Sequence, residues 1–159
     1  MTNQQYQIGD YHETYRTFEL PRPKRYNWTY EVFDKWAGDP NKRAMLWVSD
    51  DGKPRDVTYL EFARRSKQVA NALSGIGTQP GERVMTMLPR LVEWWEIVLG
   101  CIRGRFVSVP GTTLMTPRDI AYRIEAAGIS VAITDSENLP KLEAVRDRCP
   151  DLREIIVVG

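Results

Sequence analysis

A chain of 159 residues with 22 Lys and Arg against 21 Asp and Glu has a formal net charge of +1, so no long-range field draws it onto nucleic acid or an anionic membrane. The length suits one compact domain with a real hydrophobic core and is short for two. Two cysteines, Cys101 and Cys149, lack CxxC spacing and have only His12 to join them, which excludes a disulfide framework and leaves almost no material for a metal site.

In chain order, Met1 to Asp10 lacks the basic and apolar regions of a secretory signal. No apolar run later approaches the roughly 18 residues of a spanning helix. The expectation is a cytoplasmic protein with no membrane span. Residues 1–26 mix charge, aromatics and proline (Pro21, Pro23) without helical or strand period, which predicts an extended N-terminal arm whose Tyr6, Tyr11, Tyr15 and Phe18 need cover. From Asn27, a capping residue, Val32, Phe33 and Trp36 fall on one side of a short helix ended by Gly38 and Pro40. Arg43 to Ser49 and Arg55 to Thr58 flank Asp51-Gly52, a strong turn dipeptide, and read as a β-hairpin.

Thr58 followed by Glu61 predicts a capping box opening a helix, with Leu60, Ala63, Ala70 and Leu73 on its apolar stripe and Gly75 or Gly77 as its stop. Strand and helix then alternate: strand Arg83 to Leu88, helix Leu91 to Arg103, strand Phe106 to Val109 and a polar loop. Thr116-Pro117-Arg118-Asp119 places a cap, a first-turn proline and a third-position carboxylate at the start of a helix that runs to Gly128. Ile129 to Thr134 is a strand, Ser136 caps a helix with Leu139, Leu142 and Val145, and Arg153 to Val158 is a last strand. Strands apolar on both faces predict an α/β, doubly wound, mostly parallel sheet with helices on both faces, preceded by the hairpin. Residues 27–159 form this one domain. Gly159 follows directly on a buried-type strand, where an open parallel sheet expects more strands. The expectation is an incomplete, truncated subdomain.

Four stretches carry a family resemblance: Tyr26-Asn27-Trp28 leading into Phe33-Asp34-Lys35-Trp36; Thr58-Tyr59-Leu60-Glu61; Leu88-Pro89-Arg90-Leu91-Val92-Glu93-Trp94-Trp95; and Val109-Pro110-Gly111-Thr112-Thr113-Leu114-Met115-Thr116. Read together, they resemble the N-terminal part of the ATP-dependent acyl-CoA synthetases of the adenylate-forming enzymes, in their medium-chain branch. The resemblance implies activation of a carboxylic acid with ATP and Mg²⁺ to an acyl-adenylate, then transfer of the acyl group to coenzyme A. It also implies that the phosphate loop lies beyond the last strand, with the acyl pocket, ribose-binding Asp and catalytic Lys further on. No catalytic residue or metal ligand is therefore assigned within these residues, and the implied partner is the remainder of a synthetase chain.

Gly111-Thr112-Thr113 followed by Pro117-Arg118 looks superficially like the family's phosphate loop, whose core reads Gly-Thr-Thr-Gly-x-Pro-Lys. Leu114 stands where the second glycine belongs, an extra residue precedes Pro117, and Arg118 replaces the lysine. Glycine is needed there because backbone must approach phosphate closely. In medium-chain relatives this segment lies near the coenzyme A entrance and typically carries Gln at the place of Leu114, so Leu114 is the candidate coenzyme A contact. The alternative makes Pro110 to Met115 a plain turn into the next helix.

Trp94-Trp95, beside Leu91, Ile97, Val98, Leu99 and Ile102, reads as a core and interface device, with acyl-chain contact as the rival. Arg90 either meets a phosphate or pairs with Glu93 or Glu96. His12 lacks a carboxylate or serine nearby in sequence and is not a catalytic base. Two functions stay open from the sequence: an inactive N-terminal piece of an acid–thiol ligase, and a short interaction module that keeps the fold.

Overall fold

The computed structural model describes residues 9–20 and 22–159; the readings made on Tyr6, Pro21 and the first eight residues lie outside them. Within the arm expected to be extended, Tyr11–Thr17 forms helix α1. The Asp10 carboxylate starts it by accepting from the Glu13 N–H at 2.9 Å. No apolar period announced this helix because none of its residues is buried. Tyr11 and Tyr15 stack on each other in the open.

Asn27 opens the next segment, its side-chain oxygen accepting from the Thr29 N–H and hydroxyl. The chain makes a π-helical turn, Thr29–Phe33, that runs into α2, Asp34–Trp36. Strands β1, Arg43–Val48, and β2, Pro54–Thr58, form the expected antiparallel hairpin. The Thr58 hydroxyl then caps α3, Tyr59–Gly75, by accepting from the Glu61 N–H at 3.1 Å. Only half of the expected capping box forms, because the Glu61 carboxylate takes Arg55 of β2 as its partner instead. A charged donor outcompetes a backbone amide for that carboxylate.

The remaining elements are β3, Arg83–Met87; α4, Val92–Gly104; β4, Val107–Gly111; α5, Pro117–Ala127; β5, Ile129–Asp135; α6, Leu139–Glu143; and β6, Glu154–Val158. At α5 the capping box is complete, with Thr116 and Asp119 bonded reciprocally. Gly128, at φ 58°, ends that helix in the left-handed region where a side chain is disfavoured. Ser136 does not cap α6. The helix has no side-chain cap; Asp135 instead closes the turn that leads into it, its Oδ1 accepting from the Asn138 N–H at 2.8 Å and the Asn138 amide at 2.9 Å.

The four strands β3 to β6 pair in parallel in the order β4-β3-β5-β6. The chain steps from β3 to the edge, then crosses back to the far side of β3, which is the doubly wound pattern. One face carries α3 and α4 through Leu73, Ile97 and Cys101 against Val84, Val131 and Ile133. The other carries α5 and α6 through Ile120, Ile124 and Leu142 against Met85, Met87 and Ala132. Central β5 is therefore buried on both faces, with Ile129, Val131, Ala132 and Ile133 supplying its apolar contacts and Ser130 and Thr134 buried among them. Each fully buried Ile, Leu or Val of these clusters contributes about 1.5–3 kcal/mol.

Helices α3 and α4 approach closely at Gly100, where an added Cβ would sit 2.7 Å from the Val69 Cβ and 3.2 Å from the Ser66 carbonyl oxygen. A third cluster, Phe33, Val57, Phe62, Ala63, Val92 and Leu99, fastens the hairpin and the 29–36 segment to the same pair of helices.

Candidate functional site

Ligands of an open parallel sheet gather beyond the carboxyl ends of its strands. There β3 runs out into Leu88-Pro89-Arg90, β4 into Thr112-Thr113, and a cavity of about 350 Å³ opens between them. Its apolar wall is Leu88, Pro89, Trp94 and Trp95; its polar groups are Arg90 and the two threonines. Both tryptophans sit on the first turns of α4, their rings edge to face at 5.1 Å. Trp94 packs on the α4 side of the sheet, while Trp95 keeps part of its ring in the open. Sequence reading offered core packing and ligand contact as rivals for this pair; the structure gives the first to Trp94 and places both at the cavity wall.

The hairpin closes on the same corner. The Trp47 indole N–H of β1 donates to the Arg90 carbonyl at 2.7 Å, so β1 and the loop after β3 enclose an adjoining cavity of about 650 Å³ that shares Pro89, Arg90 and Trp95. Arg90 itself is exposed and makes no ion pair among the described residues. Of its two expected partners, Glu96 belongs to Arg65 at 3.3 Å. Burial, the largest influence, pushes the Glu96 carboxyl above its ordinary value despite that cation.

Gly111 is the last residue of β4, and an added Cβ there would meet the Met115 and Met85 methyl groups at 2.5 and 3.0 Å. Its smallness serves packing under the strand end rather than a phosphate cradle. The loop that follows is tethered on several sides. Arg123 Nη1 donates to the Pro110 carbonyl at 3.1 Å, Met115 is buried, and Lys141 Nζ donates to the Thr113 carbonyl at 2.6 Å. Leu114 projects from the middle of this loop, 88% exposed, and does not line the cavity of Trp94 and Trp95.

The cavity lining contains no carboxylate, histidine or thiol. His12 lies on exposed α1. Burial pushes the Cys101 thiol up to about 12 and raises Cys149 in the same direction, so neither offers a thiolate nucleophile. No cluster of three or more metal-ligating side chains occurs among the described residues. The smaller cavity offers binding groups, Arg90 and two threonine side chains on an apolar wall, while the adjoining one adds the Asp50 carboxylate and the Ser49 hydroxyl. Sequence reasoning missed Trp47, Lys141 and Arg65 because each acts through a partner far away in the chain.

A doubly wound sheet with this corner defines the N-terminal part of an adenylate-forming fold, and the chain belongs to the AMP-binding enzyme family, which it matches over residues 32–159. Among curated relatives, it is 34% identical over 146 residues to mouse acyl-coenzyme A synthetase ACSM5, mitochondrial, covering 87% of this chain and 25% of that protein. It is 37% identical over 144 residues to human acyl-coenzyme A synthetase ACSM2B, mitochondrial, covering 86% and 25%. The chain thus spans about a quarter of the length of these relatives.

Among solved structures, an acyl-CoA synthetase of Brucella canis superposes with a TM-score of 0.80 over 95% of this chain and 27% of that one, at 23% identity, a likeness of fold alone. The anthranilate CoA ligase AuaEII, in complex with anthranoyl-AMP, gives 0.73 at 27% identity, over 87% and 26%. The expectation of a cytoplasmic protein is corrected by these relatives, which are mitochondrial by name. No helix among the described residues is long and apolar enough to cross a membrane.

Proposed function

We propose that this chain supplies the N-terminal subdomain of an acid–thiol ligase that activates a medium-chain carboxylic acid with ATP and Mg²⁺, then passes the acyl group to coenzyme A. The observation that supports this most is the continuous family match over residues 32–159 together with the similarity to mammalian acyl-coenzyme A synthetases. Residues 1–26 serve as an arm and 27–159 as the subdomain body.

The residues present do not fit the nucleotide's phosphates. Gly111 ends a strand with methionine methyls against it, Leu114 occupies the place of a glycine, and the described residues offer no metal-ligating cluster. Adenylation therefore belongs to the remainder of the synthetase, and the isolated chain is inactive. The thiol cofactor fits better. Exposed Leu114 offers an apolar side chain to a pantetheine-like arm, and Trp95 with Arg90 offers an amphipathic wall in the cavity that Thr112 and Thr113 line. Thioester formation by the complete synthetase, assayed over acids of graded chain length with ATP and coenzyme A, tests this reading. An optimum at medium length supports it, and absence of acid-dependent AMP release contradicts it.

A further inference from the structure

Lys141 lies on α6, behind the site corner, and has no carboxylate in its hydrogen-bond set. Its ammonium donates to two neutral acceptors, the Thr113 carbonyl at 2.6 Å and the Asn138 side-chain oxygen at 2.9 Å. Asn138 is buried and is itself fixed through its amide by Asp135 Oδ1 at 2.9 Å. A chain of bonds thus starts on the last residue of β5, passes through α6 and ends on the loop between β4 and α5.

That loop has little else at its centre. Arg123 holds its root at Pro110, and the Thr116–Asp119 box holds its far end. Between them, the Leu114 side chain is largely in the open, and its N–H reaches only the Thr112 hydroxyl at 3.2 Å, within the loop. Lys141 supplies the single cross-element hydrogen bond to residues 112–114 among the described residues. Thr113, whose carbonyl it holds, lines the tryptophan cavity. A charged donor gives a stronger and shorter bond than a neutral one, so this contact fixes the peptide between Thr113 and Leu114 in place.

We propose that Lys141 is a positioning residue. It holds the Thr112–Leu114 segment in the conformation that presents Leu114 and the cavity wall, and so sets the affinity of this corner for the thiol cofactor without touching the reacting atoms. The affinity clause rests on the proposed function; the holding of the loop rests on the geometry alone.

Two measurements separate these parts. In the 159-residue chain, Lys141→Met keeps the aliphatic stem and removes the donor, and Lys141→Arg restores a donor. NMR of the Thr113 carbonyl carbon and the Leu114 amide reads the bond directly. In Lys141→Met the carbonyl resonance moves upfield and the Leu114 order parameter falls from about 0.85 towards 0.6, while core amides of β5 are unchanged and Lys141→Arg returns both signals part of the way. An unchanged Thr113 carbonyl and a rigid Leu114 in Lys141→Met overturn the proposal.

In the complete synthetase, Lys141→Met raises KM for coenzyme A about tenfold, with kcat and KM for ATP within about twofold of wild type. An equal loss in kcat, or an unchanged KM for coenzyme A, overturns the affinity clause. A wild-type synthetase that makes no thioester overturns the functional reading and that clause with it, while the NMR result still decides whether Lys141 holds the loop.

Discussion

Arg103 and Asp34 are joined by two parallel bonds, Nη1 to Oδ2 at 3.0 Å and Nη2 to Oδ1 at 2.7 Å. The guanidinium also donates through Nε to the Ser66 hydroxyl at 3.2 Å and lies 4.7 Å from the Tyr30 ring centre. Its side chain is only 2% exposed. One buried cation thus ties α4, α3 and the 29–36 segment together, and the Asn27 amide adds a bond to the Ile102 carbonyl near the end of α4. The planar fork explains why arginine rather than lysine suits this place.

Removing the carboxylate leaves that guanidinium buried and unpaired. Asp34→Ala is expected to cost about 3 kcal/mol, the low end for a buried pair because Asp34 keeps 24% of its side chain exposed. The shift of the urea midpoint, with Asp34→Asn as a milder companion, measures it. The Arg103 bonds, and after them its charge and that of Lys67, hold the Asp34 carboxyl below its ordinary value despite partial burial. The folded state therefore binds this proton less readily than the unfolded chain. The stabilisation is complete above about pH 4 and is lost as pH falls below it, so the gap between wild type and Asp34→Asn closes with acid.

Glu96 has the opposite sign. With 5% of its side chain exposed and Arg65 at a long 3.3 Å, its carboxyl is raised, chiefly by burial. The folded state holds this proton more tightly than the unfolded chain, so wild type loses stability as pH rises from about 4.3 through the folded value. Glu96→Gln removes that slope. At pH 7 this variant is expected to be at least as stable as wild type, and a clear loss in thermal midpoint would show that the Arg65 pair outweighs the burial.

Gly100→Ala tests the α3–α4 contact. Intrinsic helix propensity favours alanine by up to about 1 kcal/mol. The new methyl meets the Val69 side chain and the Ser66 carbonyl, and relief requires the two helices to part. A net loss of about 1–2 kcal/mol by thermal or urea unfolding is expected. Any gain in stability would mean that the helices tolerate a wider separation.

Local signals in the sequence were the dependable ones. Thr116 to Asp119 and the Asp51-Gly52 turn specify their structures within four residues, and both form as read. The apolar runs of β3 and β5 announced a sheet covered on both faces. Where a local pattern competes with a distant partner, it is less legible. Glu61 turns to Arg55 instead of completing a box, and Asp135 rather than Ser136 closes the turn that leads into α6. Helix α1 buries nothing and so had no periodicity to read. The site corner was legible as a place, through the strand ends. Its fasteners, Trp47 on Arg90 and Lys141 on Thr113, bridge 43 and 28 residues, and no spacing rule links such pairs.

The central claim is that these 159 residues bring a binding wall and scaffold to a ligase whose phosphate-handling groups lie elsewhere. Its most direct test is acid-dependent pyrophosphate release by the purified chain, given ATP, Mg²⁺, a medium-chain acid and coenzyme A. The account predicts release at the level of the protein-free control. Sustained turnover by this chain alone would contradict it.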